Sequence, residues 1–161
     1  MGLILRAISA LILPTVVALV VPFLLLNNYP ADFLGSIAQM VGILLFVSGL
    51  LLSLLCIWLF LYIGRGTIMP WDPTRKLVAV GPYQYVRNPM ISGVIAMLVG
   101  QALFFGSVAI GILAAVFFLI NHVYFIYSEE PGLEKRFGES YREYKRNVPR
   151  SIPRSSPYKV K

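Results

Sequence analysis

Two long stretches of this chain carry almost no charge, and they limit its fold more than any other feature. From Ala7 to Gly64 the one charged residue is Asp32, and from Met90 to Ser128 there is none. Each stretch exceeds the roughly 20 apolar residues that cross a hydrocarbon core as a helix. Soluble domains carry roughly 25% charged residues; this chain carries 13%, with 58% hydrophobic. The expectation is an all-α integral membrane protein of about four transmembrane helices, followed by a C-terminal amphipathic helix at the cytoplasmic face.

The first span is expected from about Leu5 to Leu26, with kinks at Pro14 and Pro22, because each proline removes a backbone donor. A polar turn, "LNNYPAD", precedes a second apolar run from Phe33 to Ile63. Fully helical, that run measures about 46 Å and overshoots a ~30 Å core. Residues Ile91 to Phe105 and Val108 to Tyr127 read as a helical hairpin turning at "FGS". The first arm is about 22 Å long, so the hairpin need not cross fully. The loop from Gly64 to Pro89 holds Arg65, Arg75, Lys76 and Arg87 against Asp72, whereas the loop around Asn28 holds no base. The positive-inside rule then puts the long loop and both termini in the cytoplasm. A bacterial or archaeal inner membrane is the expected location.

Nine of the fourteen basic residues follow Glu130, on a net charge of +7. Among them Leu133, Phe137, Tyr141, Tyr144 and Val148 recur at helical spacing, the pattern of an amphipathic helix on the membrane or on the loop. Pro149, Pro153 and Pro157 are expected to end it. No basic face on a soluble domain is present, so nucleic acid is not an expected partner. Cys56 and His122 are the only residues of their kinds, which leaves neither a disulfide within the chain nor a zinc cluster.

Polar residues that crowd the mouth of a membrane bundle point to function. One group is "RKLVAVGPYQYVRNP", Arg75 to Pro89; the other is "SEEP", Ser128 to Pro131. Pro89 suits the first turn of a helix, whose free N–H groups attract a carboxylate or phosphate. Arg87 can add a bidentate contact, and Tyr83 and Tyr85 aromatic faces. The plainer alternative is a capped helix with an arginine reaching to the interface. Glu129 and Glu130 sit at the negative end of a helix dipole, which disfavours them. Arg87, the bases of the tail, or a bound ligand could compensate, as could solvent. His122 lies seven residues before Glu129, on nearly the same helix face. It is either a site residue or a hydrogen-bonded packing residue.

"GPYQYVRNPM", then a hairpin, then "EEPGLEKRFGESYREYKRNVPR" resembles the isoprenylcysteine carboxyl methyltransferase family, whose superfamily includes phospholipid N-methyltransferases. The likeness runs from about Arg75 to Arg150, and the first two spans match in character only. The chain is expected to form one membrane domain over 1–161: two spans in 1–64, a cofactor-binding core in 65–150 and a tail in 151–161. The resemblance implies S-adenosyl-L-methionine as cofactor and a lipid or lipophilic small molecule as substrate. The positions that correspond to cofactor contacts are Lys76, Leu77, Val78, Tyr83, Arg87, Asn88, Pro89, Met90, Ile91, Glu129 and Glu130; Glu129 and His122 are the candidate catalytic residues. Three positions depart from the family pattern. Asn88 replaces a usual His, Ile91 a common Tyr, and Phe125 a substrate-side base, whose place His122 could take. The expected reaction is methyl transfer to an isoprenylcysteine carboxylate, a phospholipid amine or a similar acceptor. A non-enzymatic scaffold or channel-like protein is the alternative, and it gives the acidic pair and the Arg-Asn-Pro turn no reason to coexist.

Overall fold

The computed structural model describes residues 12, 15–66 and 73–158, and the expectations for Leu5–Leu11 and for a kink at Pro14 fall outside them. Helices account for the architecture, with no strand among the described residues. Helix α1 is Val16–Asn28, α2 Ser36–Tyr62, α3 Pro89–Phe105, α4 Val108–Phe137 and α5 Glu139–Asn147. Two of these, α2 and α4, are long and apolar enough to cross a membrane. The described part of α1 and the whole of α3 are shorter. At 17 residues α3 is about 25 Å long.

The packing of α2 on α3 dominates the bundle, and small residues make it close. Gly42 and Gly49 on α2 meet Gly100 and Gly93 on α3, each pair seven residues apart on its helix. A Cβ on Gly42 would lie 2.6 Å from the Gly100 carbonyl oxygen, and one on Gly100 the same distance from the Gly42 oxygen. The two backbones therefore touch where a side chain would hold them apart, the usual device of helices packed in lipid. On the other side of α3, Val94 and Leu98 pack with Ile110 and Ala114 of α4. The α3–α4 turn is the expected one. Gly106 ends α3 in the left-handed region, and the Ser107 hydroxyl accepts from the Ile110 N–H at 3.4 Å.

Proline shapes two of the helices in the same way. Residues Val16–Val20 are π-helical and Pro22 follows; residues Phe125–Glu129 are π-helical and Pro131 follows. The ring of a helical proline crowds the carbonyl four residues back, and a widened turn relieves it. The carbonyl that Pro22 leaves without its usual donor is Ala18 O. It accepts instead from Gln101 Nε2 on α3 at 2.8 Å, so the packing partner expected at Pro22 is present.

The charged region differs from the sequence expectation. No single amphipathic helix follows Glu130. Residues Glu130–Phe137 continue α4, and the helix breaks at Gly138 (φ 56°, ψ −129°). Only a glycine adopts that conformation readily. Helix α5 then folds back, placing Tyr141, Tyr144 and Val148 against Ala79 of the loop. Of the two surfaces foreseen for the amphipathic residues, it covers the loop. At 30 residues α4 is about 45 Å long. Its apolar run ends at Tyr127, and its last turns carry Glu129, Glu130, Glu134, Lys135 and Arg136 beyond a ~30 Å core.

Candidate functional site

The end of α2, the start of α3 and the last turns of α4 converge at the charged end of the bundle. The loop and α5 close over them and leave a cavity of about 390 Å³, within the ~300–1,000 Å³ of small-ligand sites. The loop reaches it through a short 3₁₀ turn, Gly81–Gln84, entered by Gly81 at φ 59°. That turn buries Tyr83, whose ring stacks on Phe60 of α2 with centroids 5.4 Å apart. The Tyr144 hydroxyl on α5 donates to the Tyr83 carbonyl at 2.7 Å. Residues after α5 bind the outside of the same turn: Arg87 N–H donates to Pro149 O (2.9 Å), Arg154 N–H to Tyr85 O (3.0 Å) and Tyr158 N–H to Gln84 O (3.0 Å). The tail is thus a strap over the loop.

Of the residues singled out from sequence, Leu77, Val78, Tyr83, Arg87, Asn88, Met90, Ile91 and Glu129 line this cavity. Lys76, Pro89, Glu130 and His122 do not. Lys76 is exposed on the loop, and Pro89 is buried in the first turn of α3. Ser128 of the "SEEP" segment lines it too, and Phe60, Arg136 and Tyr141, not among the sequence candidates, also do. In the sequence Tyr141 reads as part of an apolar face and Arg136 as part of a general basic surplus. Arg136 lies about two turns past the acidic pair on the same helix, which was the available signal; Tyr141 lies beyond the Gly138 break and carried none.

The two adjacent glutamates have separate surroundings. Glu130 is 2% exposed. Its Oε1 accepts from Arg87 Nη1 and Arg150 Nε, both at 2.8 Å, and its Oε2 meets Lys145 Nζ at 3.0 Å. Lys145 also reaches Glu134 at 2.7 Å. One carboxylate therefore ties the loop, α5 and the tail to α4. Burial alone would raise this carboxyl; hydrogen bonds from Arg150 and Lys145 and the charge of Arg87 outweigh it and hold it below the usual range. Glu129, one residue earlier, opens into the cavity and has no ion pair among the described residues. Its side chain is exposed to the open side of the cavity; loss of part of its hydration, then repulsion from Glu130, push it up to about 7, against a smaller pull from Arg136. The helix continues about two turns past the pair to Phe137, so the negative helix end expected at Glu129 and Glu130 lies elsewhere, and their surroundings are set by neighbouring charges instead.

Two polar atoms on the cavity wall, Arg87 Nε and the Tyr141 hydroxyl, are buried without a hydrogen-bond partner. The Arg87 side chain lies beside the Tyr141 hydroxyl, so the two form one polar patch on the wall that a polar ligand could join.

A second cavity of about 380 Å³ lies beside the first, between α3 and α4, with Leu45 of α2 at its edge. Its walls are largely apolar, with Ile91, Ile95, Val99 and Phe118. His122 lines this groove, its ring 5.6 Å from that of Phe118. Asn88, Ile91, Asn121 and Phe125 line both cavities and form their common wall. The position where the family usually carries a base is filled here by buried Phe125, which belongs to that wall.

Fold and site together define a class: a small helical membrane protein with a cavity of mixed polar and apolar walls at its charged end and a more apolar groove alongside. A family model described as phospholipid methyltransferase matches residues 37–140, more than half of the chain, and the chain belongs to that family. The match begins in α2, ahead of the segment that carried the resemblance. No curated protein matches the chain, and no solved structure matches it. Family membership implies methyl transfer from a methyl donor to a lipid-type substrate.

Proposed function

We propose that the chain transfers a methyl group from S-adenosyl-L-methionine to the amine or hydroxyl of a lipid that enters from the bilayer. The observation that supports this most is the wall shared by the two cavities, Asn88, Ile91, Asn121 and Phe125. A polar donor on one side and a lipid on the other would meet there. The first cavity suits the donor in size, in its unpartnered Arg87 Nε and Tyr141 hydroxyl, and in its unpaired Glu129. Leu77, Val78, Tyr83, Asn88, Met90 and Ile91 would surround it. When bound, S-adenosyl-L-methionine supplies an electrophilic sulfonium methyl group.

The protein's own contributions are position, dryness and a proton acceptor. Pro89 fixes the start of α3, and Glu130 fixes α5 and the tail over the cavity. Phe125 and Tyr83 keep water from the shared wall. His122, on the acceptor side, takes the proton that an amine or hydroxyl loses. A carboxylate acceptor is less well served. Arg150 is the one cation on the groove wall among the described residues, and its Nε is bonded to Glu130. The proposed topology has four passes with both termini and the long loop cytoplasmic.

Purified protein incubated with methyl-labelled donor and fractionated membrane lipids tests the reading. Label should enter an amino- or hydroxyl-lipid fraction. His122→Gln should slow transfer while donor binding persists. Donor binding with no label in any lipid fraction would sink the acceptor assignment. A cysteine at exposed Arg75 tests the topology, since native Cys56 is buried. It should react with an impermeant maleimide only after cells are opened.

A further inference from the structure

The charges on the first cavity are not equally available to a ligand. Arg87 lines it, but Arg87 Nη1 is bonded to Glu130 at 2.8 Å, with both side chains buried. Glu130, Arg150 and Lys145 are likewise committed to one another. Two charged residues on the wall have no ion pair among the described residues: Glu129 and Arg136. Arg136 is loosely held. Its Nη1 donates to Thr74 O at 3.4 Å, and its guanidinium lies 5.7 Å from the Phe137 ring centroid. Glu129 and Arg136 are seven residues apart on α4 and face one cavity, yet they do not pair with each other. A negative and a positive side chain that share a wall without touching leave room for a group carrying both opposite charges. An α-amino acid is such a group, with an ammonium and a carboxylate on one carbon.

We infer that Glu129 and Arg136 clamp the zwitterionic amino-acid end of the methyl donor, Glu129 taking the ammonium and Arg136 the carboxylate. This rests on the donor site proposed above and deepens it. It moves the anion contact from Arg87, where the sequence alone puts it, to a residue about two turns into the polar end of α4. Arg87 and Tyr141 keep a different task. Their unpartnered Nε and hydroxyl can bond uncharged acceptors on the remainder of the donor.

Calorimetry on the full chain in detergent tests the clamp, with S-adenosylhomocysteine and 5′-methylthioadenosine as probes. The second probe has the nucleoside and thioether but no amino-acid end. Losing a charge-assisted bond should weaken the first probe by roughly tenfold to a hundredfold. Arg136→Gln and Glu129→Gln should each show that loss and leave 5′-methylthioadenosine unchanged. Arg136→Lys should recover part of it, because charge returns without the fork. Arg142→Gln, on the exposed side of α5, should change neither probe. The clamp is overturned if Arg136→Gln binds S-adenosylhomocysteine like wild type. It is also overturned if both probes weaken together, which a loosened fold would produce. If wild-type protein binds neither probe, the donor site itself is wrong and the clamp falls with it.

Discussion

The α2–α3 seam and the cap made by α5 and the tail are held by opposite means. In the seam, Gly42, Gly49, Gly93 and Gly100 bring two backbones into contact with no charge nearby. In the cap, one buried carboxylate gathers three cations, and tyrosines pack over the loop. Packing of small residues depends on shape and is indifferent to pH and salt. An ion-pair centre is sensitive to the removal of any member, because the others stay buried without compensation. The seam is therefore a fixed platform, and the cap is the part of the site whose closure has chemical conditions.

The largest effect should come from Glu130→Gln. Three cations would lose their shared anion, at a cost of about 3–5 kcal/mol. Limited proteolysis should cut the tail while the α2–α3 pair resists; equal resistance in variant and wild type would refute the ion-pair account of the cap. Next is Gly100→Val, which forces α2 and α3 apart at about 1–3 kcal/mol or more. Thermal unfolding in detergent should show the loss at any pH. Acid should separate the regions too. Glu130 is held below its ordinary 4.5, so its contribution is complete above that pH and fades as pH falls through the lowered value. Lys145 is raised above 10.5, so its contribution is complete below that pH and fades as pH climbs through the raised value. The cap, and not the seam, should loosen at both extremes, read by proteolysis across pH.

A smaller, local effect concerns Glu129. Its carboxyl, pushed up to about 7 by desolvation and then by the Glu130 charge, must ionise to attract an ammonium. Affinity for S-adenosylhomocysteine should rise between pH 6 and 8, and Glu129→Gln should flatten the profile while thermal stability holds. The smallest effect is expected at the exposed Glu139–Arg142 pair on α5. Arg142→Ala should change stability by less than about 0.5 kcal/mol.

The hairpin, the long second helix and the gathering of loop and acidic pair at one end were legible because each rests on a local signal. An apolar run has a length, "FGS" has a turn glycine, and two polar segments flank the same spans. The break at Gly138 was hidden by a periodicity that stays in phase across it, from Leu133 and Phe137 to Tyr141 and Tyr144. A single glycine in a helical pattern costs only about 1 kcal/mol and does not announce a break. The seam was written in the spacing of Gly42 and Gly49 and of Gly93 and Gly100, but sequence alone does not say which helix faces which. The division of labour between Glu129 and Glu130 was not legible at all. Adjacent residues on a helix point about 100° apart, so either could face the ligand.

What separates them is the π-helical stretch at Phe125–Glu129. A turn that holds one residue too many acts as an angular offset: every side chain after it lags by about 100° relative to an ordinary helix. Deleting one residue from that turn would leave composition, charge and apolar length almost untouched, yet would advance Glu130, Glu134 and Arg136 by more than a quarter revolution. The carboxylate that gathers Arg87, Lys145 and Arg150 would then aim elsewhere, while the membrane-facing half of α4 kept its place. The extra residue is the phase setting that keys the chemistry of the charged end to the fixed geometry of the bundle.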